Sequence, residues 1–188
     1  MPLDITFTLS DQDLDHFQQI VDRAKSAMDS GTDAAQIEAA ARKLLDEAKT
    51  VPMPDFIADR LVKLETVINM ANDEEWRLTD EERNRVLGAL VYFCDPEDMI
   101  PDSVPGLGFL DDAIYVELIL RALKAEIESY EEFCAFRKSE EQRRIDRGLD
   151  PHVEREAWLA DKRATLHARM RRRRRSGAGG GSGWTFRW

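Results

Sequence analysis

Four aspartates raise the chemical question in this sequence. Asp98 and Asp102 are spaced i, i+4 and share a face if their stretch takes a helical turn, and Asp111 and Asp112 follow across a bend rich in Pro and Gly. Such a cluster of hard carboxylate oxygens suits Mg2+ or Ca2+. Carboxylates forced together also raise one another's pKa, which would supply a general acid. The rest of a catalytic constellation is missing from the sequence. No His neighbours these aspartates, no Ser or Cys stands in a recognisable nucleophilic setting, and "GLGF" lacks the strand and spacing of a dinucleotide-binding fingerprint. The architectural alternative is that the aspartates cap helix ends and turns, where Asp is favoured anyway, and pair with Arg83, Arg85 or Lys63. That alternative leads. No catalytic residue and no cofactor are assigned, with a Mg2+ or Ca2+ site at Asp98, Asp102, Asp111 and Asp112 as the rival.

The other titratable candidates are weaker. His16, His152 and His167 fall on separate helical stretches without an i, i+4 partner and read as surface residues. Cys94 and Cys134 lie forty positions apart with no CxxC spacing, which fits neither a zinc site nor a disulfide framework. They read as two small buried apolar side chains.

A second group of residues suits binding. Arg171, Arg172, Arg173, Arg174 and Arg175 form an unbroken basic run, "SGAGGGSG" follows as a flexible tether by composition, and the chain ends in Trp184, Phe186, Arg187 and Trp188. The arginines could hold nucleic-acid phosphate with the aromatics stacked on bases. They could equally meet an anionic membrane surface, where each basic residue contributes about 1 kcal/mol. The third reading, an aromatic motif on a tether that docks into a protein partner, leads because a tether serves reach and capture.

Charge separates these readings. The 188 residues carry a net charge of -10, but nine of the 27 Lys and Arg and none of the 37 acids lie from Lys162 onward, which leaves the preceding part at -19. An acidic body repels nucleic acid and anionic lipid alike, so any affinity for either has to come from the tail. Nucleic acid is the least favoured partner. The longest apolar blocks, "VLGALVYFC" and "IYVELILRAL", are too short or too charged to span a bilayer. The N-terminal stretch lacks the basic and apolar regions of a secretory signal. The expectation is a cytoplasmic protein, peripheral at a membrane if the tail binds lipid.

The elements that must position these residues read as all-α, with about six helices. A helix from Ser10 as cap places Leu14, Phe17, Ile20, Val21 and Ala24 on one face and stops at Gly31; a second, capped by Thr32, ends before Pro52 and Pro54. A third starts with Pro54 in its first turn and carries Ile57, Leu61, Leu64, Ile68 and Met70. Thr79 caps a fourth. After the acidic bend one long helix is expected from about Gly108 to Ile145, striped by Ile127, Tyr130, Phe133 and Phe136, its second half protruding or packed on the N-terminal hairpin. Gly148 breaks it, and Asp150 and Pro151 start a sixth. "DITFTL" is too short and isolated to count as a strand. The implied division is an N-terminal hairpin over 1–52, a central helical domain over 53–147, a basic helix over 148–175 and a tethered, disordered aromatic end over 176–188.

The bend carries a resemblance. Four Pro and Gly residues (Pro101, Pro105, Gly106, Gly108) fold two apolar helices back on one another. "YFCDPEDMIPDSVPGLGFLDDAIYVELIL", Tyr92 to Leu120, resembles the YkvA-like domain family, whose signature runs from a Tyr to Pro-x-Asp-x-Ile-Pro-Asp and then Pro-x-x-Gly-x-x-Asp-Asp. The matching positions are Pro96, Asp98, Ile100, Pro101, Asp102, Pro105, Gly108, Asp111 and Asp112, nine identities in seventeen positions. Asp95 stands where the family more often has Ser, and Ser103 where it tends to be bulky and apolar. The resemblance covers about residues 57–125. It implies a small helical hairpin domain, common in bacteria and sometimes in membrane-associated contexts, with no generally established activity.

Overall fold

The computed structural model describes residues 10–28, 34–94 and 109–177. Thr32, Gly31 and "DITFTL" lie outside these residues, as do the side chains of His16, Ile20, Val21 and Ala24. Within them there are seven α-helices and one 3-10 turn, and no strand.

α1 (Asp11–Met28) opens on a reciprocal cap: the Asp13 amide donates to Ser10 Oγ at 3.3 Å and the Ser10 amide to Asp13 Oδ2 at 2.8 Å, which satisfies two donors the first turn leaves orphaned. α2 (Ala34–Ala48) buries Ile37, Ala41 and Ala48 and stops short of Pro52. α3 (Asp55–Asn72) is the spine. Its expected stripe of Ile57, Leu61, Leu64, Ile68 and Met70 is buried, with Val67 and Ala71 beside it, and Pro54 serves as its cap instead of its first turn. Burying each such aliphatic side chain contributes about 1.5 to 3 kcal/mol. α2, α4, α5 and α6 all pack on α3.

α4 (Asp80–Leu90) starts at a full capping box between Thr79 and Glu82 and runs into a 3-10 turn, Val91–Cys94, against which α1 and α2 both lie. Beyond the bend come α5 (Leu110–Ala122), α6 (Lys124–Asp146) and α7 (Arg155–Gly177). The single long helix expected after the bend is therefore two. Leu123, wholly buried, leaves helical geometry at φ -103° and ψ 18°, while Leu123 N to Ile119 O (2.8 Å) and Ile127 N to Leu123 O (2.9 Å) carry the backbone bonds across the break. The chain turns without orphaning a backbone group, so no Gly or Pro is needed and the sequence shows no breaker. The second half neither protrudes nor takes the N-terminal hairpin as its main neighbour; α6 packs chiefly on α7.

The reversal between α6 and α7 is a Schellman motif. Gly148 sits at φ +71°, its amide donates to Ile145 O at 2.9 Å, and the Leu149 amide donates to Arg144 O at 3.0 Å. Asp150 accepts from the His152 amide at 2.8 Å, but Glu154 holds φ 55°, which delays the helix from Pro151 to Arg155. α7 then runs back antiparallel along α6.

Candidate functional site

At the base of the bend four rings from three elements meet. Tyr92 and Tyr115 stack with centroids 3.9 Å apart, Phe93 stands edge-on to both at 5.5 and 5.6 Å, and Phe17 of α1 lies 6.3 Å from each tyrosine. Burial, and then the neighbouring Tyr92, push deprotonation of Tyr115 well above its ordinary range, so it stays a neutral phenol. Phe109 ends the bend in the left-handed region at φ 65°, fully buried, a costly backbone state held by the surrounding packing. α5 then starts with Asp111 and Asp112, only 2% and 5% exposed, in the first turn, where carboxylates complement the positive end of the helix.

Asp98 and Asp102 lie outside the described residues, as do Pro96, Ile100, Pro101, Pro105 and Gly108. Among the described residues no three His, Cys, Asp or Glu side chains stand close enough together to hold a metal ion. The cations expected to serve the aspartates are paired elsewhere. Arg83 bonds Glu38 at 3.0 Å and the Ala71 carbonyl at 3.1 Å, Arg85 approaches the buried Glu126 at 3.3 Å, and Lys63 holds Glu131 at 2.9 Å. Glutamates of α2 and α6 are their partners. Cys94 and Cys134 are half-buried, not core residues, since each sits at a seam between the core and solvent. Desolvation raises both thiols' pKa, which keeps them protonated and poorly nucleophilic.

Residues 85–118 match the family model described as a protein of unknown function, DUF1232. This segment is YkvA-like. The chain is 38% identical over 65 residues to the uncharacterized membrane protein YkvA of Bacillus subtilis, a match that spans 31% of this chain and 61% of that relative. The chain thus spans about three fifths of the curated relative's length. No solved structure matches. The family-model match contains Arg85, the 3-10 turn, the two stacked tyrosines and the neighbouring Asp111 and Asp112 of α5. The basic arm lies outside the family match.

That arm is where the structure concentrates charge. The connector between α3 and α4, residues 73–79, carries Asp73, Glu75 and a fully buried Trp76. Arg137 of α6 reaches Asp73 at 2.9 Å and Glu75 at 2.8 Å; Arg155 of α7 bonds Glu75 and Glu141; Arg163 donates to the Glu75 carbonyl at 2.9 Å. Bonds from Arg155 and Arg137 hold Glu75 below the usual carboxylate range. Farther along α7, Lys162 (2.7 Å) and Arg169 share Glu132, Arg171 grips the buried Glu82 at 2.7 Å, and Arg173 meets Glu128 at 2.9 Å. Burial opposes ionisation of Glu82, yet bonds from Arg171 and Thr79 outweigh it and hold the carboxyl at about 2. Under these pairs lie Leu159, Leu166 and Met170, fully buried, and Trp158 packed on Phe136.

The five-arginine run is therefore divided. Arg171 and Arg173 are tied to the body, whereas Arg172, Arg174 and Arg175 have no ion pair among the described residues. Trp184, Phe186, Arg187 and Trp188 lie outside them. His152 is exposed, as expected. His167 is not a surface residue: it is 8% exposed, edge-on to Trp76 with centroids 4.2 Å apart, because α7 turns that face onto the connector. The sequence offered one signal for this, Leu159, Leu166 and Met170 at helical spacing with His167 on the same stripe.

Proposed function

We propose that this chain is a non-enzymatic interaction module that captures a protein partner through its C-terminal arm. The observation that carries the reading is the divided arginine run: an arm pinned along α6 by paired cations still offers Arg172, Arg174 and Arg175 at its end. Cations without an ion pair among the described residues, at a helix end continued in sequence by a Gly/Ser tether and an aromatic terminus, combine electrostatic steering with a tethered anchor. α6 and the α3–α4 connector, beside the YkvA-like segment, serve as the scaffold that fixes the arm. Affinity capture with the intact chain, a chain ending at residue 177 and an Arg172→Gln/Arg174→Gln/Arg175→Gln variant tests it. A partner held by the intact chain and lost from both variants, with folding unchanged, is expected; equal capture by all three sinks the reading.

A second reading, peripheral binding to an anionic bilayer by the same arm, is favoured by two observations. No helix of the described residues is long and apolar enough to cross a membrane, and the similar YkvA of Bacillus subtilis bears the name membrane protein. Flotation with anionic and with neutral vesicles separates the two. Salt-sensitive flotation only with anionic vesicles, lost with the three arginines, would favour the lipid.

A further inference from the structure

Besides its buried apolar stripe, α7 is held by two kinds of contact that respond differently to acid. The first is the set of ion pairs. Glu75, Glu82, Glu132 and Glu156 are all held below the ordinary carboxylate range by arginine or lysine partners, so they stay charged through mildly acidic conditions. The second is the seat of His167 against Trp76, whose indole also packs on Tyr130 and Phe133 with centroids 5.9 and 5.1 Å away. The imidazole bonds the Trp76 backbone, and its Nε2 is buried with no hydrogen-bond partner among the described residues.

A proton on Nε2 creates a donor with nowhere to donate and a cation with almost no water. The charges facing the ring do not compensate. From α4 comes Glu82, whose oxygens already serve Arg171 and Thr79; from α7 itself come Arg163 and Arg171, both repulsive. The carboxylates of the connector and α6 that pair with the arm are likewise engaged, Glu75 by Arg137 and Arg155, and Glu132 and Glu128 by Lys162, Arg169 and Arg173.

We propose that His167 is a proton-operated latch for α7: the uncharged imidazole is part of the packing that seats the helix on the connector and α6, and protonation unseats it. Unseating frees Arg163, Arg169, Arg171 and Arg173 to join Arg172, Arg174 and Arg175, which have no ion pair among the described residues, and uncovers Trp76, Phe133 and the apolar stripe of α7. Acid thereby converts a mostly self-neutralised arm into a longer basic amphipathic one.

The direction follows from the seat. Desolvation, assisted by Arg171 and Arg163 and opposed by Glu82 and the bond to the Trp76 backbone, lowers the affinity of His167 for a proton when α7 is docked. A group depressed in the docked state contributes stability that is complete above its ordinary value of about 6.5 and is lost as pH falls through the docked value. Cys94, Cys134, Tyr115 and Tyr130 are displaced upward and stay neutral there.

Hydrogen exchange of the full chain at about pH 7.5 and about pH 5, corrected for intrinsic rates, tests the latch. Protection of residues 159–173 should fall at the lower pH relative to α3. His167→Asn, which keeps a donor near the Trp76 backbone and cannot become charged, should hold its protection at the lower pH. If that variant does not fold at neutral pH, an NMR titration of the wild-type imidazole decides, with a midpoint below 6.5 that coincides with the loss of α7 protection. Unchanged protection at the lower pH, an equal fall in the Asn variant, or a His167 midpoint at or above the ordinary value would each overturn the proposal.

Discussion

Glu82→Gln isolates the charge that anchors the middle of α7. Gln at this third helical position still completes the capping box with Thr79, so the substitution removes only the anion opposite Arg171. The folded environment takes the Glu82 carboxyl from 4.5 to about 2. At about 1.36 kcal/mol per pH unit that displacement is worth at most about 3.4 kcal/mol. Arg171 is 40% exposed, so water screens its share of the attraction, and after removal of Glu82 it solvates instead of remaining as a buried charge. The expected loss is about 1.5 to 2 kcal/mol, read by urea unfolding of both proteins followed by far-ultraviolet circular dichroism. The pH dependence sharpens the test. A depressed carboxylate contributes stability that is complete above its unfolded value and is lost as pH falls through its folded value. The gap between wild type and variant should therefore be constant near neutrality and close progressively from about pH 5 toward about pH 2. Since Glu82 also favours protonation of His167, the variant should titrate that ring at a lower pH. A variant within about 0.5 kcal/mol of wild type at neutral pH, the ordinary range for surface changes, would refute the account of α7 anchoring.

Trp76→Ala should cost about 3 to 5 kcal/mol in the same urea assay, because the indole is fully buried among Tyr130, Phe133 and His167; a loss below about 1 kcal/mol would mean the pocket collapses or was never closed. Gly148→Ala should cost about 1 kcal/mol, since an added Cβ meets nothing within 4 Å and only the φ of +71° is unfavourable; thermal melting reads the change, and a neutral result would show that the Schellman turn relaxes. Asp111→Asn should lower stability by about 1 to 2 kcal/mol through the helix terminus, with the same melting temperature in the presence and absence of Mg2+ or Ca2+; a metal-dependent rise in the wild type that the variant erases would restore the carboxylate metal site.

The all-helical class, the caps at Ser10 and Thr79 and the α3 stripe were legible in the sequence, because they depend on contacts within a few residues. Ser10 with Asp13 and Thr79 with Glu82 are bonded as local capping chemistry requires, and the pattern from Ile57 to Met70 needs only a 3.6-residue period to declare its buried face. The YkvA-like signature was equally legible, since its nine identities lie within seventeen positions. The break at Leu123, the seat of His167 and the division of the arginine run were not. Each depends on which distant side chain arrives opposite: Glu82 and Arg171 are 89 residues apart, and Arg155 and Glu75 are 80 apart. Charge counting along the chain separated an acidic body from a basic tail. Only the antiparallel return of α7 along α6 turned that separation into mutual neutralisation, because ion pairs need approach within a few ångströms, and sequence composition carries no information about approach.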